Sequence, residues 1–178
     1  MVQPSLPIAL DQRTDMPATF DERTMLTTFL DYVRMTVHAK CVDLADPNAG
    51  AAPLSTSPLT SISGLVSHLR WVEAYWIDVV FLGGEKLSPG TPEDPDREMR
   101  IGPERPIQEL LNEYADQCAR NSALIASTDL DVESTQRSRK TGNAFPLKWI
   151  VMDLIEEAAR HNGHIDLLRE MADGVVGD

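Results

Sequence analysis

Glu157 and His161 stand one helical turn apart in the run Trp149-Ile150-Val151-Met152-Asp153-Leu154-Ile155-Glu156-Glu157-Ala158-Ala159-Arg160-His161. At i, i+4 spacing both side chains leave the same face of a helix, with Cβ atoms about 6 Å apart. His68, far upstream, sits beside the apolar stripe of a second amphipathic segment. Two imidazoles and one carboxylate converging between helices would make a three-donor site for a divalent cation, with coordination positions left open. A catalytic metal is held that way, whereas a structural one is closed off by protein.

Position in the stripe supports this more than spacing does. His161 fills a slot where Leu or Ala would be expected, and a buried polar group needs a partner. The plain alternative is that His161 only hydrogen-bonds Glu157, since such pairs also stabilise exposed helix faces. His164 shares the helix edge of Glu157. It reads first as a group that fixes a ligand's orientation, with third ligand in place of Glu157, or hydrogen-bond partner at the bundle mouth, as alternatives. His38, beside Val37, reads as a partly exposed surface histidine without a role.

Four helices must position these groups. The first spans about Asp21 to Leu44, with Asp21 as N-cap and the stripe Leu26, Leu30, Val33, Val37, Cys41. The second, about Ser61 to Leu82, carries Ile62, Leu65, Leu69, Val72, Trp76 and Val79, and Gly83-Gly84 stops it. The third begins near Pro106 and runs through Ile107, Leu111, Tyr114 and Cys118 to about Ser127. The fourth follows Pro146 with Leu147, Val151, Leu154, Ala158, His161, Ile165 and Leu168, ending near Asp173-Gly174.

Steps of three and four are the mark of bundle helices, and nothing alternates as a strand would. Residues 1–19 read as an N-terminal extension and 20–174 as an all-α four-helix bundle. The acidic, proline-rich stretch 85–104 reads as an extended surface connection. It is longer than a bundle hairpin needs, which allows an up-down-down-up order with the second and fourth helices antiparallel. At 1.5 Å per residue, His68 lies about 22 Å from the Gly83 end, and Glu157 and His161 lie about 16–22 Å from Pro146. Antiparallel packing brings those depths together.

The composition sets limits. With 178 residues, 42% apolar and 25% charged, the chain suits one soluble domain. A formal charge of −12 argues against nucleic acid and against an anionic membrane surface. No apolar run reaches the roughly 20 residues of a membrane helix, and Met1 to Met25 lacks a signal-peptide pattern. A cytoplasmic location is expected, with Cys41 and Cys118 as reduced, packed thiols. Gly-rich phosphate loops and the GxSxG, CxxC and HExxH motifs are absent. Trp71 and Tyr75 read as packing residues, and Arg137, Arg139 and Lys140 as a solvated basic loop.

The stretch from Ser61 to Trp76, SISGLVSHLRWVEAYW, resembles the second helix of the DinB/YfiT-like superfamily, and EEAARHNGHID from Glu156 resembles its fourth. Thr28-Phe29-Leu30-Asp31 and Ala39-Lys40-Cys41 also fit its members from mycothiol-making bacteria, and the resemblance covers about residues 20–172. It implies a four-helix bundle with one metal-binding His on helix two, falling on His68, and two ligands four apart on helix four, falling on Glu157 and His161. Many members have His at both helix-four positions. Glu157 at the first is similar to the arrangement in mycothiol-dependent maleylpyruvate isomerase, and His164 aligns just beyond the ligands.

By the same resemblance the protein would be a metal-dependent S-transferase joining a small thiol, mycothiol, to small electrophiles. Zinc is the default metal, with nickel or iron as alternatives, and a homodimer is implied. Two other readings stand beside it: a metal-dependent hydrolase using activated water, and a non-enzymatic, metal-stabilised bundle with a stress-related or interaction role.

Overall fold

The computed structural model describes residues 13–176, so the predicted extension lies outside it up to residue 12. Four long helices carry the fold: α1 (Glu22–Lys40), α3 (Ile62–Ala74, continued as a π-helical segment Tyr75–Phe81), α5 (Ile107–Ser127) and α6 (Leu147–Asp173). Two short helices, α2 (Asp46–Gly50) and α4 (Arg97–Ile101), lie in the connections, and a hairpin of β1 (Glu133–Arg137) and β2 (Ala144–Pro146) precedes α6.

Local chemistry sets the helix ends. Asp21 caps α1 by accepting from Thr24 N, and Ser61 caps α3 by accepting from Gly64 N. α1 stops at Lys40 and not at Leu44, because Asp43 adopts a left-handed φ of 55° just beyond it. Pro106 leaves α5 without a side-chain cap of its own. Asp46 supplies one from a distance, accepting from Ile107 N at 2.9 Å.

Contacts between the helices establish their directions. α1 runs parallel to α6: Lys148 Nζ lies 3.5 Å from Glu22 at one end, and Arg169 donates to Lys40 O at 2.8 Å at the other. α3 is antiparallel to α6, with Trp76 against Trp149 and His68 against Glu157. α3 and α5 are parallel, since Leu65 and Leu69 share a core cluster with Leu110 and Leu111, while Ile77 and Phe81 share another with Ile125. Arg23 bonds the carbonyls of Ile125 and Thr128, which sets α1 antiparallel to α5. The order is up-down-down-up, with residues 82–106 crossing the length of the bundle.

Between the two apolar clusters lies a buried polar layer. Arg34 on α1 forks onto Glu73 on α3, Nε to Oε1 and Nη2 to Oε2, both at 2.6 Å. Asn121 on α5 donates to the same carboxylate at 2.7 Å, and Ser122 accepts from Arg34 at 3.0 Å. Three helices are thereby keyed to one register, because a buried charge left without these partners is strongly destabilising.

Two sequence expectations need correction. The hairpin was not foreseen: its first strand, Glu133-Ser-Thr-Gln-Arg137, is all polar and buries only Ser134. It is held by backbone bonding and satisfies the uncapped start of α6, where Leu147 N and Lys148 N donate to the carbonyls of Val132 and Leu130. Residues 85–104 are not simply extended, because α4 folds back onto α3. His38 is partly exposed, as expected, but its ring also packs: it stacks on buried Tyr114 at 5.8 Å, and its Nε2 is buried without a partner among the described residues. Cys41 and Cys118 are free and buried, as expected.

Candidate metal centre

His68 leaves α3 toward α6 because Leu65 and Leu69 turn into the core and leave the intervening edge at the helix–helix seam. Glu157 and His161 leave α6 toward α3 on either side of buried Ala158. Antiparallel packing sets the three at one depth. Each offers one donor atom, and these atoms lie within 4.8 Å of one another.

Glu157 Oε2 is 3.4 Å from His161 Nε2 and 3.8 Å from His68 Nε2. Donors on a tetrahedral ion with bonds near 2.05 Å sit about 3.3 Å apart, so both distances from Glu157 are within about half an ångström of ligating spacing. The rings of His68 and His161 meet edge to face, with centroids 5.1 Å apart. The side chains are 27%, 21% and 12% exposed for His68, Glu157 and His161, which leaves the site open on one side.

The atoms behind the donors are also occupied. Glu98 on α4 places Oε1 3.4 Å from His68 Nδ1. As acceptor for Nδ1–H, it leaves the Nε2 lone pair facing Glu157. Arg160 ion-pairs with Oε1 of Glu157, so Oε2 is the oxygen turned to the imidazoles. His164 Nδ1 lies 3.2 Å from His161 Nδ1. It is therefore an exposed neighbour behind His161 and stands outside the donor cluster.

Burial lowers the pKa of His161 to about 4, with nearby His68, His164 and Arg160 adding to the effect. Its ring is neutral at physiological pH, the state a metal ligand requires. One turn earlier on α6, burial and then the charges of Glu157 and Glu156 raise Asp153 to about 6.

Sequence reasoning missed Glu98. It stands in a proline-rich stretch whose only hint of order is the short run Arg97-Glu-Met-Arg-Ile101. Trp71 and Tyr75 line a small cavity between α3 and α5, where packing alone had been expected. A larger groove of about 570 Å³ runs between α1 and α6, lined by Phe29, Trp149 and Met152 among others, and none of the three donors borders it.

Two comparisons bear on this geometry. A family model described as Mycothiol-S-transferase matches residues 25–174, which includes all four long helices except the first turn of α1. No curated protein matches the chain.

Proposed function

The chain belongs to the mycothiol-S-transferase family, and we propose that it joins the sulfur of mycothiol to a small electrophile at a divalent metal, zinc by default, held by His68, Glu157 and His161. The observation that carries this reading is the meeting of three donors from two helices within 4.8 Å. A bound divalent ion with this donor set keeps about one positive charge, enough to lower a thiol's pKa from roughly 8.5 and supply thiolate at neutral pH.

The chain's own residues prepare for that chemistry. Burial keeps His161 neutral, so its nitrogen can donate without first losing a proton. Glu98 holds the His68 ring by its Nδ1, and Arg160 holds the far oxygen of Glu157. The ligands are thus oriented before anything binds, which spares ordering entropy at the moment of binding. The basic loop Arg137, Arg139 and Lys140 lies on the hairpin turn, and no role in the site is assigned to it.

The test combines elemental analysis of untagged protein with a thiol-conjugation assay using mycothiol and chlorodinitrobenzene. Near-stoichiometric metal that is lost in His161→Ala, together with conjugation lost in His68→Ala at unchanged thermal stability, supports the reading. A His68→Ala protein that unfolds, with no conjugation ever seen in the parent, supports a structural metal. Release of hydrolysed product without added thiol supports a hydrolase.

Two further points extend the proposal. No helix among the described residues is long and apolar enough to cross a membrane. The two free, buried thiols support a reducing, cytoplasmic setting. The groove between α1 and α6, where Phe29, Trp149 and Met152 are 42%, 41% and 60% exposed, is the face we assign to a homodimer. Sedimentation of Met152→Glu should show a monomer where the parent is dimeric.

A further inference from the structure

Away from the metal centre, a second cavity gathers three cations. It lies between α3 and α5 beneath residues 85–88, has a volume of about 160 Å³, and its charged lining is Arg70, Lys86 and Arg120 with Asp78 and Glu85. Three cations against two carboxylates is a local excess of positive charge in a chain whose formal charge is −12.

Arg70 is the unusual group. Its guanidinium lies over the Trp71 ring, 3.5 Å from the centroid, while Nε and Nη1 are buried with no hydrogen-bond partner among the described residues. The nearby acids are otherwise engaged or out of reach. Glu113 is forked by Arg105 at 3.0 and 2.7 Å, and Asp78 accepts from Gln117 at 3.2 Å. Arg120 donates through Nη2 to Gln117 Oε1 at 2.6 Å, which leaves its other donors uncommitted. Burial pushes the Arg70 pKa below its ordinary value, and the nearby carboxylates of Glu113 and Asp78 offset only part of that effect.

We propose that this cavity binds a small oxyanion, a carboxylate or phosphate group, with Arg70 and Arg120 as donors and Trp71 as the floor that holds the Arg70 plane. A guanidinium presents fixed, coplanar donors that match those groups, and stacking on an indole restricts its motion before the ligand arrives. The volume admits an anion of a few heavy atoms and excludes a nucleotide, whose pocket is several hundred Å³. Arg70 is two residues from His68, which turns it about 200° around α3, so the cavity opens on a different face from the metal centre.

The experiment follows the arginine Nε–Hε signals of ¹⁵N-labelled protein while sodium malonate or inorganic phosphate is added at constant ionic strength, with sodium chloride as control. The Arg70 signal should shift and saturate with one of the two anions and not with chloride. Preference for malonate identifies a carboxylate ligand, and preference for phosphate a phosphate. Arg120→Gln, an exposed position that leaves the core intact, should weaken binding at least tenfold, and Arg70→Gln should abolish it. Absence of saturation with both anions up to about 10 mM, an affinity too weak to matter, overturns the proposal. So does binding that persists unchanged in Arg120→Gln.

Discussion

Glu98 Oε1 stands 3.4 Å from His68 Nδ1, across the ring from the 3.8 Å approach of Nε2 to Glu157. This carboxylate–imidazole–donor line is the arrangement that fixes a metal-binding histidine's tautomer and raises its basicity. Glu98→Gln should therefore lower metal affinity about 10- to 100-fold while the fold is kept, because partners behind metal ligands contribute on that scale. Competition against a chromogenic chelator measures it. Unchanged affinity would mean that Glu98 does not hold the ring.

Glu157 should matter more than either neighbour that touches it. Glu157→Gln keeps the shape and one oxygen but removes the negative charge, so bound metal should fall well below one per chain in elemental analysis. His164→Ala should retain metal, since His164 lies behind His161 and outside the donor cluster. Equal losses in the two variants would place His164 among the ligands.

Much of this was readable in the chain, for identifiable reasons. The stripes through Leu30, Leu65, Leu111 and Leu154 mark buried helix faces, and those residues are at most 5% exposed. The matching depths of His68 and Glu157 required only the helix rise and an antiparallel pair. Glu98 was not readable, because its position depends on where α4 docks, and five residues carry no stripe. Arg34 and Glu73 were equally hidden. Each is a charged residue that periodicity assigns to a flank, and only their mutual fork makes burial tolerable. The β1 strand left no signal because it contributes backbone hydrogen bonds and almost no apolar area.

The Arg34–Glu73 pair leads to a stability prediction. Glu73→Gln leaves Arg34, only 3% exposed, with the more distant Asp31, 4.0 Å away, as its remaining carboxylate. Breaking one side of a buried pair typically destabilises by about 3–5 kcal/mol. Urea unfolding of Glu73→Gln should show a loss of that order. The double change Arg34→Met with Glu73→Leu should recover much of it, since the buried pair is removed together and only the partly exposed Asp31 loses a partner. A double variant no better than the single one would show that Asn121 and Ser122 depend on the pair for their own placement.

His38 predicts a pH dependence. Burial lowers its pKa from 6.5 to about 4, so the unfolded chain takes up a proton there before the folded one does. Stability is then complete above pH 6.5 and falls as pH drops from 6.5 toward 4, by about 2 kcal/mol at pH 5. His161 titrates in the same direction. Urea midpoints measured at pH 7 and pH 5 in the presence of chelator should fall for the parent protein. The fall should shrink in His38→Phe, which keeps the stack on Tyr114 without the titration. An undiminished fall would assign the acid sensitivity to His161 alone.

Gly102 connects the fold to the site. A Cβ there would meet the Ser63 carbonyl oxygen at 2.5 Å and Gly64 Cα at 2.8 Å, both backbone atoms with nowhere to move. In return, a Cβ on Gly64 would meet the Met99 carbonyl at 2.8 Å. The paired glycines let α4 sit directly on the start of α3, and α4 carries Glu98 to His68. Gly102→Ala should therefore act twice. It should destabilise by about 1–3 kcal/mol through overpacking, and it should weaken metal binding although no donor is touched. Gly163→Ala is the control: its Cβ meets nothing within 4 Å, and it lies inside α6. That change should be neutral or stabilising by up to about 1 kcal/mol. Chelator competition and urea unfolding on the two variants separate the effects. If Gly102→Ala lowers stability while metal affinity stays at the parent value, Glu98 keeps its place without α4 docking, and the two glycines serve the fold alone.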